Sequence, residues 1–181
     1  MRAVFLVGFM GAGKTSVGVA LARRLGWRFV DLDERVEKRE RRKIAEIFAE
    51  SGEAAFRRAE AAALKDLLDE SHSRPLVVAL GGGAFVQPEN ARLLKTRGGP
   101  VVFLDAPVEE LRRRCGPKAA TRPLFANENQ FRQLYESRRS SYMQADICVD
   151  TTGHSVEQTA AEVAQRLGLD EQHESSRSGK K

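Results

Sequence analysis

"GFMGAGKTSVG", residues 8–18, is the stretch on which the reading of this chain turns. Gly8-Phe9-Met10-Gly11-Ala12-Gly13-Lys14-Thr15 matches the pattern G-x-x-x-x-G-K-[ST] at every position. The apolar run "AVFLV" (3–7) precedes it. Behind it, Val17, Leu21 and Leu25 fall on one face of a helix predicted over Lys14–Leu25. Strand, glycine-rich loop and amphipathic helix are the context in which such a loop cradles phosphate. Backbone N–H groups must wrap a triphosphate closely, and side chains at Gly11 and Gly13 are expected to obstruct that approach. The helix that begins at the loop adds unpaired N–H groups and the positive end of its dipole. Lys14 is expected to reach the outer phosphates, and the Thr15 hydroxyl to bind Mg2+.

Outward from the loop, four further runs read as strands: "RFVDL" (28–32), "LVVAL" (76–80), "VVFLD" (101–105) and "ICVD" (147–150). Helical spacing fills the intervals between them. Strands alternating with helices predict βαβ units and a mainly parallel sheet. "LVVAL" is apolar throughout, as a strand covered on both faces should be. Ile44, Ile47 and Phe48 begin one apolar stripe, and Phe56, Ala59, Ala63 and Leu67 continue helical spacing after Gly52. Ser155 is a candidate N-cap for a last helix through Leu167. No internal repeat or linker divides the chain, so one domain is expected over residues 1–169. The polar stretch "DEQHESSRSGKK" (170–181) reads as a disordered tail.

The 181 residues are 41% hydrophobic and 30% charged, with a formal charge of +5 and a pI near 9.5. That balance favours anionic partners. Two cysteines, Cys115 and Cys148, form no C-x-x-C pair, which argues against a disulfide framework or a zinc site. No apolar run approaches transmembrane length and no signal-peptide pattern is present, so a cytoplasmic protein is expected. The basic run "KRERRK" (38–43) has no interleaved aromatic residues for base stacking and reads as a solvated helix end rather than a nucleic-acid site.

Candidate residues for an acceptor follow. "VDLDERVE" puts Asp31 and Asp33 two residues apart at the end of the second strand, where an extended backbone would point both to one side. One carboxylate there could hold metal-bound water while the other binds and deprotonates an acceptor hydroxyl. The competing reading is a solvated strand end with Asp33 as a helix cap. "IAEIFAESGEAAFRRAE" (44–60) carries Arg57, Arg58 and Glu60. This cluster is a solvated face unless Arg57 turns toward the cleft of Asp33, where its guanidinium could grip a carboxylate. Gly81-Gly82-Gly83 at the end of the third strand suggests the close approach of a ligand or another backbone. That strand carries no acidic residue, which leaves the metal role to Asp31 and Thr15.

In combination, the phosphate loop, D-x-D after the second strand, "IAEIF...GE..FR..E" and "GGGA" resemble the shikimate kinases from Val4 to about Leu167. The resemblance implies a P-loop kinase three-layer α/β sandwich, with a five-stranded parallel sheet of order 2-3-1-4-5. It implies ATP and Mg2+, shikimate as acceptor and a monomer. By the same resemblance Gly11, Ala12, Gly13, Lys14, Thr15 and Ser16 hold ATP. Asp33 contacts the shikimate hydroxyls as candidate base, in a subregion of about 33–61. Arg57 and Arg138 hold the shikimate carboxylate, and Gly81, Gly82 and Gly83 line that pocket. "CGPKAATRPLF" looks like the family's lid (about 115–127), whose arginine, here Arg122, contacts ATP phosphates. Arg114 is the candidate to stack on adenine, although "LRRRC" offers three arginines, and "VDTTG" (149–153) passes the base. The family's R-x-P-x-Y is here Arg138-Arg139-Ser140-Ser141-Tyr142. Serine replaces proline, and the choice between Arg138 and Arg139 stays open, with the tyrosine register favouring Arg138. Two rivals stand beside this reading: a related small-molecule kinase acting on gluconate or a nucleoside monophosphate, and a non-enzymatic nucleotide- or nucleic-acid-binding module.

Overall fold

A computed structural model describes residues 2–116 and 128–169. Arg122, most of the expected lid and the expected tail lie outside the described residues. The chain order is β1 (Ala3–Val7), α1 (Lys14–Leu25), β2 (Arg28–Asp31), α2 (Leu32–Glu40), α3 (Ile44–Ser71), β3 (Leu76–Ala79), α4 (Pro88–Arg97), β4 (Val101–Asp105), α5 (Val108–Cys115), α6 (Glu128–Tyr142), β5 (Ile147–Asp150) and α7 (Val156–Arg166). The five strands form one sheet in the order β2-β3-β1-β4-β5, and every neighbouring pair is parallel. Helices flank it: α1 packs on α7 and against β2 and β3, α2 packs on α3, and α5 on α6. This is the expected architecture.

Burial explains the strand sequences. All residues of β1 and β3 are buried, and both strands are apolar end to end. The edge strands β2 and β5 are only partly covered and carry the charged and polar residues. Leu6, Leu21, Leu64 and Leu67 are fully enclosed, and truncating one such leucine to alanine costs about 2–5 kcal/mol. Ser155 caps α7 as expected. Its hydroxyl accepts from Gln158 N, and the Gln158 side chain returns to Ser155 N.

Three local expectations are corrected. The second strand stops at Asp31, one residue short of the apolar run, because the chain turns into α2 at Leu32. The third strand likewise stops at Ala79, where the glycine turn begins. The helical spacing on either side of Gly52 belongs to two helical pieces, since Gly52 breaks the helix at φ 75°, ψ 174°. The basic run at the end of α2 is threaded with ion pairs: Lys43–Glu37 at 2.7 Å, Arg42–Glu50 at 3.2 Å, and Arg39 with Asp66. These pairs fasten α2 to its neighbours and agree with the solvated-helix reading. Among the described residues no helix is long and apolar enough to cross a membrane.

Candidate active site

Parallel strands of an open α/β sheet place ligands beyond their carboxyl ends. β1, β2 and β3 end there at the phosphate loop, at Asp31 and at Gly81–Gly83. Gly11 and Gly13 take positive φ, 79° and 85°, as a tight loop entering a helix requires. Their protein surroundings differ. A Cβ at Gly11 would stand 2.4 Å from the Leu111 carbonyl oxygen and 3.0 Å from Cys115 Sγ, so α5 is the obstacle there. At Gly13 the protein leaves room, with Val17 the nearest neighbour at 3.7 Å, and the positive φ favours glycine.

Lys14 Nζ donates to the carbonyls of Gly8 (2.9 Å) and Phe9 (3.1 Å) and so spans its own loop. Burial pulls its pKa down to about 8, against the opposing pull of the Asp33 and Asp31 carboxylates. Thr15 Oγ1 donates to Asp31 Oδ2 at 3.0 Å, and Asp31 Oδ1 accepts from Asp33 N at 3.0 Å. Asp31, not Asp33, is therefore the N-cap of α2. The two carboxylates do not lie along one extended strand, because Asp33 sits in the first turn of the helix. Capping leaves Asp31 beside Thr15 and turns Asp33 toward the glycine triplet.

That triplet is where the acceptor candidates meet. A Cβ on Gly81 would lie 2.5 Å from Asp33 Oδ1. On Gly82 it would lie 3.3 Å from Arg138 Nη1, and on Gly83 2.7 and 2.8 Å from the two terminal nitrogens of Arg57. Each glycine thus accommodates the tip of one polar side chain, and these side chains arrive from α2, α6 and α3. The tips of Asp33, Arg57 and Arg138 meet over three consecutive glycines. The neighbouring Arg139 turns elsewhere, to Tyr135 Oη (3.1 Å) and Asp105 Oδ2 (3.1 Å). Arg138 lies over the Phe9 ring of the phosphate loop, 6.0 Å from its centroid, so the two halves of the site touch.

Glu60 is the residue most misread in the sequence. The expected solvated charge cluster holds a carboxylate that is 1% exposed and accepts from Arg57 Nη1 at 2.9 Å. Burial raises its pKa while the Arg57 charge opposes the rise. The available signal was its place three residues after Arg57, amid the alanines and leucines of the buried helical face.

On the other side of the phosphate loop a cavity of about 410 Å3 is lined by Gly11, Ala12, Gly13, Ser16, Arg114 and the 151–156 turn, among others. Arg114 donates to Thr151 Oγ1 (2.8 Å), Thr151 O (2.9 Å) and Glu110 (2.9 Å), which fixes its guanidinium on the cavity wall. Arg113, paired with Glu110, also lines this cavity, whereas Arg112 pairs with Glu128. Tyr135 and Asp105, which hold Arg139, were not singled out in the sequence.

A cavity thus lies on one side of the phosphate loop, and one carboxylate and two guanidinium groups gather over the glycine triplet on the other. The family model described as shikimate kinase matches residues 10–168. A shikimate kinase of Persephonella marina is 42% identical over 92% of this chain and 99% of its own length. One from Cereibacter sphaeroides is 44% identical over 92% and 82%. Among solved structures, the shikimate kinase of Acinetobacter baumannii in complex with shikimate superposes with a TM-score of 0.83. It is 36% identical and covers 92% of this chain and 93% of that one. With a family model matched over most of its length and relatives 42% and 44% identical across 92% of it, the chain belongs to the shikimate kinase family.

Proposed function

We infer that the chain transfers the γ-phosphoryl group of ATP to the 3-hydroxyl of shikimate, giving shikimate 3-phosphate and ADP. The observation that carries this reading is the meeting of Asp33, Arg57 and Arg138 on Gly81–Gly83, one ring away from the phosphate loop. A carboxylic acid with several hydroxyls is the complement of such a pocket. Two guanidinium groups grip its carboxylate through charge-assisted bonds, and a carboxylate receives its hydroxyls.

In this mechanism Arg57 and Arg138 orient the acceptor by its carboxylate. Asp33 then aligns the attacking hydroxyl and takes its proton as the oxygen closes on phosphorus. Phosphoryl transfer is catalysed chiefly by positioning and charge neutralisation. Lys14, spanning the loop, is assigned to the outer phosphates. Arg122, outside the described residues, is assigned to the same phosphates by the family resemblance, and Arg114 to the base. Thr15 Oγ1 and Asp31 Oδ2, hard oxygen donors 3.0 Å apart, fit a partly hydrated Mg2+, which when bound neutralises phosphate charge. Glu60 holds Arg57 to its task.

The deciding experiment is ADP formation with shikimate against gluconate, with and without Mg2+. Shikimate-dependent, Mg2+-dependent ADP release is expected. Turnover with gluconate instead would reassign the acceptor. Salt-sensitive binding of DNA or RNA without acceptor-stimulated ADP release would favour a binding module. The ion-paired state of the 38–43 run counts against that outcome.

A further inference from the structure

Tyr142 ends α6 with its side chain fully buried, its ring lying 5.3 Å from that of Phe103 on β4. A phenol hydroxyl in such a place needs a partner, and its O–H donates to the Gly82 carbonyl. The Arg138 guanidinium lies alongside: Arg138 Nη1 and the Tyr142 oxygen would stand 3.3 and 3.7 Å from a Cβ on Gly82. Arg138 and Tyr142 stand four residues apart on one helical face, the spacing at which side chains meet. The Arg138 tip and the buried hydroxyl therefore meet at the middle of the glycine turn.

We propose that Tyr142 is a positioning residue of the acceptor site, its single buried oxygen fixing both Arg138 and the Gly82 peptide in the orientation that receives the acceptor carboxylate. The proposal rests on the function inferred above. Arg138 reaches the pocket on a long, flexible side chain, and an arginine left to its own rotamers loses entropy whenever it grips a ligand. Tethering to a hydroxyl removes part of that cost before the ligand arrives. Anchoring the Gly82 carbonyl also orients the Gly83 N–H, which points the opposite way across a trans peptide. Burial pushes the phenol up to about 12, so it keeps the proton it donates at working pH. The arrangement also separates Arg138 from Arg139. Only the former has the tyrosine as its partner on the pocket side, while Arg139 is held by Tyr135 and Asp105.

The test is Tyr142→Phe, which keeps the ring against Phe103 and removes only the oxygen. The shikimate KM is expected to rise about tenfold, the worth of one charge-assisted hydrogen bond. ATP KM should stay within about twofold and kcat within about threefold, a split that general loosening of the fold would not produce. In an Arg138→Lys background the same change should add little, because the two residues act as one unit. An unchanged shikimate KM in Tyr142→Phe, a parallel loss in all three constants, or full additivity with Arg138→Lys would each overturn the proposal. Should Tyr142→Phe fail to fold, Gly82→Ala addresses the same node, since its methyl would stand 3.3 Å from Arg138 Nη1 and 3.7 Å from the Tyr142 oxygen. A raised shikimate KM there supports the proposal and an unchanged one overturns it. A parent chain that forms no shikimate-dependent ADP defeats the functional reading itself, an outcome separate from failure of the tyrosine alone.

Discussion

The two ends of the site are built in opposite ways. The nucleotide end is local: eight consecutive residues make the loop, and its glycines answer to backbone φ and to the neighbouring α5 carbonyl. The proposed acceptor end is assembled from afar. Residues 33, 57 and 138 come from three helices, and its glycines answer to side-chain tips. Substitution should therefore damage the first end through backbone strain and stability, and the second through ligand recognition with the fold intact.

The largest expected break in that contrast is Asp33→Asn. Turnover should fall roughly a thousandfold if the carboxylate both aligns the hydroxyl and takes its proton, while ATP affinity changes little. Equal losses in turnover and in ATP binding, measured by steady-state kinetics and equilibrium titration, would move Asp33 out of the acceptor end. Arg57→Ala comes next. Loss of a charge-assisted grip should raise the shikimate KM about 30-fold with ATP KM unaffected. If ATP binding alone suffers, the acceptor end has been assigned to the wrong residues.

The glycines sharpen the comparison directly. Gly83→Ala crowds the two Arg57 nitrogens, and a flexible side chain can retreat, so the expected result is an approximately tenfold rise in shikimate KM at nearly unchanged Tm. Gly11→Ala meets a backbone carbonyl at 2.4 Å and a positive φ, and neither can give way cheaply. It should cost about 1–3 kcal/mol of stability and weaken ATP binding. Thermal melts of the two variants side by side test the contrast, and equal Tm losses would erase it.

The smallest expected effect concerns pH. Glu60 has a raised pKa, so on acidification it takes up its proton before exposed glutamates do. Its grip on Arg57 weakens at that point, and the shikimate KM should climb a few-fold toward the acid end. The sign is opposite for folding. A raised pKa in the folded state means that protonation favours the fold, so acidification should not destabilise the chain through this group. Glu60→Gln should flatten the acid limb of the KM profile, and an unaltered limb would show that another group controls it.

Much of this was legible along the chain. The phosphate loop could be read because its requirements lie within eight contiguous residues. The strands could be read because complete burial demands unbroken apolar runs, and Ser155 because a cap acts over three residues. Less legible was anything that depended on a partner distant in sequence. Glu60 reads as solvated until the buried side of α3 is known. Spacing alone puts Asp31 and Asp33 on one side of a strand, and the turn into α2 instead makes Asp31 a cap and aims Asp33 at Gly81. Arg138 and Arg139 differ by a single position, and a 100° step around α6 sends one to Gly82 and the other to Asp105.

By itself, the sequence determined the parallel α/β class, the phosphate loop and the residue types of an acceptor site, because backbone propensity, burial period and loop chemistry act over short range. The family resemblance named Asp33, Arg57 and Arg138 for that site, but only the tertiary structure showed how they come together over Gly81–Gly83 and which buried groups hold them there. Those choices depend on the angles at which α2, α3 and α6 pack around the sheet, and packing angles are a property of the whole core rather than of any one segment.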